Sequence, residues 1–490
     1  MNRLLKRLIC IPLAALCLFT MLSFSVSAEG EDGRRFVVSN GVSDSYTYSK
    51  VNGSRKVVAS PNTYLPEFVV DSASLGVELV NPSHITAKGD TLYIVNTGKN
   101  NIIITDQNFK VIKVLDGFML NGEMQTFSAP QGCFITNSGL LYIADTENQR
   151  IVVLSQDFEL VQIINTPKSD VLAKDFVFKP QKIVVDTSDR IFVVADGVYE
   201  GIMQFYGDGS FIGFVGSIPV TANPVEIIWK KLLTKEQTSK MQQFVPVSYT
   251  NIFLDSEEFM YTVSLSTTLA NPIRRLNPGG ADVLIRNALV GTTVAGDQIG
   301  KTSQFVAICA DENNIYYAAD SVRNRIFVYD EDGNLLSVFG GSFQGRVGTY
   351  KHISSLLLFG DNLIVVDSQA SIITSLYPTE YMETIKAGLN TYRTGKYEES
   401  HKYWTQVYAL NSNFDLAYSK IGMIEIRNKN YEKAMEYFLL ANDQENYSTA
   451  YTKYRTIWYT ENLSYIITAI LVVVVAIVVI NVWRKKRVKK

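Results

Sequence analysis

The feature that most constrains this chain is a short β-rich phrase that returns along its middle. Leu92-Tyr93-Ile94-Val95-Asn96-Thr97 recurs as Leu141-Tyr142-Ile143-Ala144-Asp145-Thr146, as Phe192-Val193-Val194-Ala195-Asp196-Gly197 and as Tyr316-Tyr317-Ala318-Ala319-Asp320-Ser321. A shorter echo is Leu363-Ile364-Val365-Val366-Asp367-Ser368. Six residues after Asn96, Asp145, Asp196 and Asp320 an isoleucine opens another β-rich run, and after Asp367 the gap is five. The acidic position steps by 49 residues from 96 to 145 and by 51 from 145 to 196. Such a period belongs to repeat architectures, where one unit cannot bury its apolar faces alone.

Each unit has the same grammar. A first strand carries Pro-x-x-Ile or a variant, as in Pro82 with Ile85, Pro130 with Cys133 and Pro180 with Ile183. A second strand ends at the acidic residue, a polar turn leads to a third, and a turn such as Gly207-Asp208-Gly209 opens a fourth. Asp and Asn hydrogen-bond nearby backbone N–H groups at such bends, and Gly supplies positive φ. The step of 124 from Asp196 to Asp320 leaves room for one more unit, over 249–263, plus an insertion over about 219–246. That insertion reads as helical: Thr234-Lys235-Glu236-Gln237 has capping-box spacing after an apolar pattern over 224–233. Six units of about fifty residues and four antiparallel strands make a closed propeller over residues 63–378.

The run Leu141-Tyr142-Ile143-Ala144-Asp145-Thr146-Glu147-Asn148-Gln149-Arg150-Ile151 resembles the core of an NHL repeat. So does Ala319-Asp320-Ser321-Val322-Arg323-Asn324-Arg325-Ile326-Phe327-Val328-Tyr329. The resemblance implies a mainly β chain built on a six-bladed NHL-type propeller, a fold shared by binding modules, lactonases and an amidating lyase; fold alone does not settle function. Tyr46-Thr47-Tyr48 and Ser60-Pro61-Asn62-Thr63-Tyr64 resemble the entry segment of bacterial exported NHL proteins with a C-terminal anchor. An extended segment over 29–62 is therefore expected to lie along the ring or supply its closing strand.

From Tyr381 the period changes from two to three and four. Gly388 and Gly422, Tyr397 and Tyr431, Ser400 and Ala434, and Trp404 and Phe438 are each 34 apart. This is the TPR period, with small residues where helices approach and aromatics between them. A TPR-like helical module is expected over 379–458. Residues 463–483 then carry no charge for 21 residues, which at about 1.5 Å rise spans roughly 31 Å, one hydrocarbon thickness. Trp458, Tyr459, Tyr465 and Trp483 suit the two interfaces, and the basic residues of 484–490 suit the cytoplasmic side.

At the other end, a basic start, an apolar run over 8–26 and Val26-Ser27-Ala28 read as a secretory signal over 1–28. Together these segments predict a single-pass cell-membrane protein whose N-terminal domain is extracellular and whose C-terminus is cytoplasmic. Nine of the 46 Lys and Arg residues lie in the two end segments, at 3, 6, 7, 484–487, 489 and 490. The other 37 face 48 acidic residues, so the middle carries about −11. No nucleic acid is expected to bind such a body. Cys10 and Cys17 fall in the signal; Cys133 and Cys309 fall in blades two and five, on opposite sides of the ring and too far apart to bridge.

A catalytic reading needs titratable or metal-binding groups converging on the channel. Lining up the first strands gives His84, Gly132, Lys182, Asn251, Ala307 and His352 as corresponding positions. His84, Lys182, Asn251 and His352 are the channel-lining candidates. His84 and His352, from neighbouring first and sixth blades, are the candidate ligands of a divalent metal, which would resemble the amidating-lyase arrangement. That family needs a third histidine, and the other positions do not supply one. The repeating acids sit at strand ends, where capping a turn or pairing with Arg150 or Arg325 accounts for them.

No catalytic residue and no cofactor is assigned, and an enzyme is the less favoured expectation. The favoured reading is a membrane-anchored binding or scaffold protein. Its propeller would meet a protein, peptide or glycan partner outside the membrane, and its C-terminal helix would meet cytoplasmic-membrane lipid. An envelope transporter complex is the expected host, and the insertion is the expected contact. The alternative is a metal-dependent hydrolase or lyase, lactonase-like, with its site in the channel.

Overall fold

The computed structural model describes residues 27–29, 35–37, 45–51, 54–173, 175–218, 247–265, 271–286, 295–297 and 302–487. The expected helical insertion over 219–246 lies outside these, as do residues 488–490 and all of the expected signal segment except Ser27 and Ala28.

Six antiparallel sheets follow one another along the chain. Blade one contains Pro82–Lys88, Thr91–Asn96, Asn101–Asp106 and Val111–Leu115, paired in that order. Blade two contains Gly132–Ile135, Leu141–Asp145, Arg150–Leu154 and Leu160–Ile164. Blade three contains Pro180–Val185, Ile191–Ala195, Ile202–Phe205 and Phe211–Val215. In blade four the strands are Tyr249–Leu254, Met260–Ser264 and Ile273–Leu276. Beyond its third strand, Val283 N donates to Arg275 O at 2.7 Å, so a short returning segment occupies the fourth place. Blade five contains Phe305–Ala310, Tyr316–Asp320, Arg325–Tyr329 and Leu335–Gly340. Blade six contains Ile353–Phe359, Asn362–Asp367 and Ile372–Pro378.

The first strand of each blade touches the first strand of the next, and that of blade six touches that of blade one, so the six close into a ring. Closure comes from chain ends that are far apart in sequence. Tyr64–Val70 pairs antiparallel with Ile372–Pro378 as the fourth strand of blade six, from Tyr64 opposite Pro378 to Val70 opposite Ile373. Arg35–Val37 and Ser27–Glu29 extend that edge, and Tyr46 pairs with Val338 at the edge of blade five.

Each blade lies between two others, so its middle strands bury both faces and lose the usual in–out alternation. Leu141–Asp145, Ile191–Ala195, Met260–Ser264 and Tyr316–Asp320 are buried at every residue. Between blades one and two, Val95, Ile102 and Ile104 pack with Leu141, Ile143 and Val152. Blade three departs from the repeat: its second strand stops at Ala195, which stands opposite Pro180, and Asp196 is exposed in a longer turn. The 51-residue step from Asp145 thus ends one position beyond the strand end that Asn96, Asp145, Asp320 and Asp367 occupy.

The C-terminal region is a separate helical unit. It contains α1 Glu380–Arg393, α2 Tyr397–Leu410, α3 Asp415–Arg427, α4 Tyr431–Leu440 and α5 Gln444–Arg487. The 34-residue period has a physical cause. A Cβ added at Gly388 would stand 3.0 Å from the Trp404 ring, and one at Gly422 would stand 2.7 Å from the Phe438 ring. Each glycine lets the helix that follows press an aromatic ring against its backbone, and both rings are fully buried. Ser400 Oγ also donates to Gly388 O at 2.8 Å. Tyr447 and Ala450 at the start of α5 pack on Ala434 and Phe438, continuing the stack. Farther along, α5 is long and apolar enough to cross a membrane, and its apolar window is unburied.

Candidate functional site

The recurrent acids are structural clamps. Asp145 accepts from Ser128 N at 2.7 Å, Asn148 Nδ2 at 2.9 Å and Arg150 Nε at 2.8 Å. Asp320 accepts from Gln304 N and Val322 N, both at 2.9 Å, and from Ser303 Oγ at 3.1 Å. Asp367 accepts from Lys351 N at 2.6 Å, His352 N at 3.1 Å and Ala370 N at 2.9 Å. Asn96 does the same with Val80 N at 2.7 Å. In blades one, two, five and six the side chain at the end of the second strand holds the loop that enters the first strand. Arg150 pairs with Asp145 as its spacing suggests, whereas Arg325 turns to Asp297 at 2.7 Å and to Tyr46 Oη at 2.9 Å.

The pairing register identifies the channel tier. His84 stands opposite Val95, Gly132 opposite Ala144, Lys182 opposite Val194, Asn251 opposite Val263 and Ala307 opposite Ala319. In four of these strands a register shift falls just before the tier residue, between Pro82 and His84, Pro180 and Lys182, Tyr249 and Asn251, and Phe305 and Ala307. Blade six has the same shift between Ile353 and Ser355, and Ser355 stands opposite Val366. The tier residue of blade six is therefore Ser355. His352 lies before the strand, with its backbone N–H on Asp367 and its carbonyl accepting from Ser368 N at 3.0 Å. Such a shift re-aims the side chain that follows it.

Three of the tier residues meet. Lys182 Nζ donates to Ser83 O and Gln131 O, both at 2.9 Å, and lies 3.4 Å from His84 Nδ1. Ser355 Oγ lies 3.3 Å from the same nitrogen. Lys182 thus starts in blade three and ends in blade one, passing blade two at Gly132, where an added Cβ would stand 3.3 Å from Lys182 Cδ and 2.3 Å from Gln181 O. Burial lowers the Lys182 pKa to about 7. Burial, and then the charge of Lys182, hold His84 well below the ordinary imidazole range. Burial pushes the neighbouring Cys133 thiol up to about 12. Asn251 is buried in the same tier. Among the described residues, no three His, Cys, Asp or Glu side chains converge as a metal site. His84 faces an ammonium and a hydroxyl, a poor setting for a cation.

The opposite ends of these strands carry two pockets of about 430 Å³ each, on either side of the hairpin turn at 136–139. The first is lined by Phe134, Leu254 and the carboxylates of Asp186, Asp189, Asp255 and Glu258. Three of these are engaged: Asp186 pairs with Arg190 and Asp255 with Arg275, each at 2.6 Å, and Glu258 accepts from Thr187 N at 2.8 Å. The second pocket is lined by Lys88, Tyr93, Leu141, Gln156 and Phe158. Sequence reasoning missed both, because hairpin tips from separate blades form their walls.

No family model matches the chain, and no curated protein matches it. Solved structures similar to it include a virginiamycin B lyase from Staphylococcus aureus, 12% identical, with a TM-score of 0.40 over 72% of this chain and 94% of that one. Another is a protein of unknown function from Bacteroides thetaiotaomicron, 12% identical, with a TM-score of 0.43 over 70% of this chain and 94% of that one. The six-bladed ring itself rests on the strand pairings and contacts described above.

Proposed function

We propose that this protein is an exported, membrane-anchored binding module. An NHL-type propeller and a TPR-like helical module would stand outside the cytoplasmic membrane, held by α5, with the basic C-terminal residues inside. Its partner would be a protein, peptide or glycan, and an envelope transporter complex a fitting host. One observation carries the binding role: the paired pockets flanking the 136–139 turn, one rich in carboxylates and one with Tyr93 and Phe158 beside Lys88. Concave sites with apolar walls and a few placed polar groups are where ligands bind propellers and other scaffolds.

The test is site-specific photocrosslinking in living cells, with the crosslinker at Asn137 of the full chain. A discrete adduct that disappears in Asp189→Lys/Glu258→Lys supports the reading. Equal adducts from a crosslinker at Gln149, on the clamp side of the blade, remove it. The second reading, a channel-sited hydrolase or lyase, draws on the convergence of His84, Lys182 and Ser355. Turnover of a lactone or ester by the wild type that is abolished in Lys182→Met would favour it.

A further inference from the structure

Lys182 is the least explained group in the ring. Its side chain is 7% exposed, and among the described residues no carboxylate pairs with it. Two backbone carbonyls solvate the ammonium but carry no formal charge. A buried cation without a counter-charge is costly, and a protein either neutralises it or supplies an anion. The residues around it are suited to the second course. Among the described residues, the tier holds one ammonium, one imidazole, one hydroxyl and one amide, and it holds no acid. The contact to His84 Nδ1, at 3.4 Å, is the longest of the three that Lys182 makes. It is the one most readily exchanged for a stronger acceptor, because charge-assisted bonds to a carboxylate are shorter and about twice as strong as neutral ones.

We propose that the channel binds a small monocarboxylate at this tier, held by Lys182 Nζ with Ser355 Oγ as a further donor, displacing the contact to His84 Nδ1. The single charge is part of the inference. One buried ammonium matches one carboxylate, whereas a dianionic phosphate would leave net negative charge in the same desolvated space. This inference is independent of the pockets that carry the binding role, which lie at the other ends of the strands.

Proton linkage gives the inference a signature. Lys182 titrates near 7 when the tier is empty, and a bound carboxylate favours its charged form. The titratable groups that face it are His84 from blade one and Cys133 from blade two, and burial keeps both uncharged; Ser355 from blade six lies beyond, against His84. Binding at pH 8 must therefore be accompanied by proton uptake.

The experiment uses the full chain in detergent with sodium acetate as the probe and acetamide, its neutral isostere, as the control. The chain has only three histidines, at 84, 352 and 401, so the imidazole resonances report His84 separately. Acetate is expected to shift the His84 resonance saturably and to take up protons at pH 8, and acetamide to do neither. Lys182→Met should weaken acetate by about tenfold or more, on the scale of one lost charged contact. Lys182→Arg should keep binding without proton uptake, because a guanidinium is already charged at this pH. If Lys182→Met does not fold, the Arg variant decides. No saturable shift in the wild type, an equal response to acetamide, tighter binding of phosphate, or unchanged proton uptake in Lys182→Arg would each overturn the proposal.

Discussion

The ends of the second strands and the tier of the first strands are two rings of the same propeller, and they are built on opposite principles. At the strand ends, Asn96, Asp145, Asp320 and Asp367 all accept backbone N–H groups from the loop entering their own blade. At the tier, His84, Gly132, Lys182, Asn251, Ala307 and Ser355 share a register but no chemistry. Four blades fasten their entry loops in this way, and the same solution recurs in each. No blade needs a particular side chain in the channel, so that ring is free to differ. Repetition marks what the fold requires, and divergence marks where specificity can be placed.

The largest expected effect tests the clamps. Asp145 is fully buried beside Arg150, whose side chain is 14% exposed. Asp145→Ala strands Ser128 N, leaves Arg150 without its carboxylate and Asn148 Nδ2 with Thr126 O alone, and is expected to cost about 3 kcal/mol, near the lower end for breaking a buried pair. Asp145→Asn should cost roughly 1 kcal/mol, because the amide oxygen can still accept from Ser128 N as Asn96 accepts from Val80 N. Denaturant midpoints of the two variants check this. A similar loss for both would mean that the charge, rather than the clamp, is what the position needs.

Gly132→Ala comes next and tests whether the tier is truly permissive. The added methyl would stand 2.3 Å from Gln181 O, a backbone atom that cannot move aside cheaply. A loss of about 1–3 kcal/mol is expected, the usual range for overpacking. The Lys182–His84 contact should loosen as well, seen as a shifted His84 resonance. A neutral result would show that blades two and three have slack between them, and that the path of Lys182 does not depend on the missing side chain.

A third effect, of about 2 kcal/mol between pH 7 and pH 9, belongs to Lys182 alone. Its folded pKa, about 7, lies below the unfolded value of 10.5. The unfolded chain thus binds more protons in this window, and stability rises with pH. His84 adds the same sign at lower pH, since its folded pKa also lies below 6.5. Cys133 acts in the opposite direction above pH 9, where the unfolded thiol ionises and the buried one does not. Lys182→Met should flatten the rise between pH 7 and pH 9. An unchanged slope would show that the amine is not desolvated in the channel.

Much of this contrast was legible in the sequence. The clamps announced themselves because an Asn or Asp returns at the end of the same β-rich phrase, and the helical unit did so through Gly388 with Trp404 and Gly422 with Phe438. The tier was only half legible. His84, Lys182 and Asn251 could be aligned from the strand pattern. Blade six could not, because its register depends on a shift between Ile353 and Ser355 that no residue type signals. Nor does any local pattern show that a lysine of blade three reaches blade one past a glycine of blade two, since that contact exists only after the ring closes.

The smallest effects separate the two candidates for the sixth position. A tier residue must communicate with His84, and a residue before the strand must not. His352→Ala leaves its backbone bonds to Asp367 and Ser368 in place, so it should change stability by less than about 0.5 kcal/mol and leave the His84 resonance where it is. Ser355→Ala removes a hydroxyl 3.3 Å from His84 Nδ1 and the acceptor of Ile85 N. It should move the His84 resonance at a cost of about 1 kcal/mol. The reverse pattern, a silent Ser355→Ala and a responsive His352→Ala, would place the imidazole in the tier. It would also restore a two-histidine site between the first and sixth blades, with Lys182 as a neighbour to be reckoned with rather than its centre.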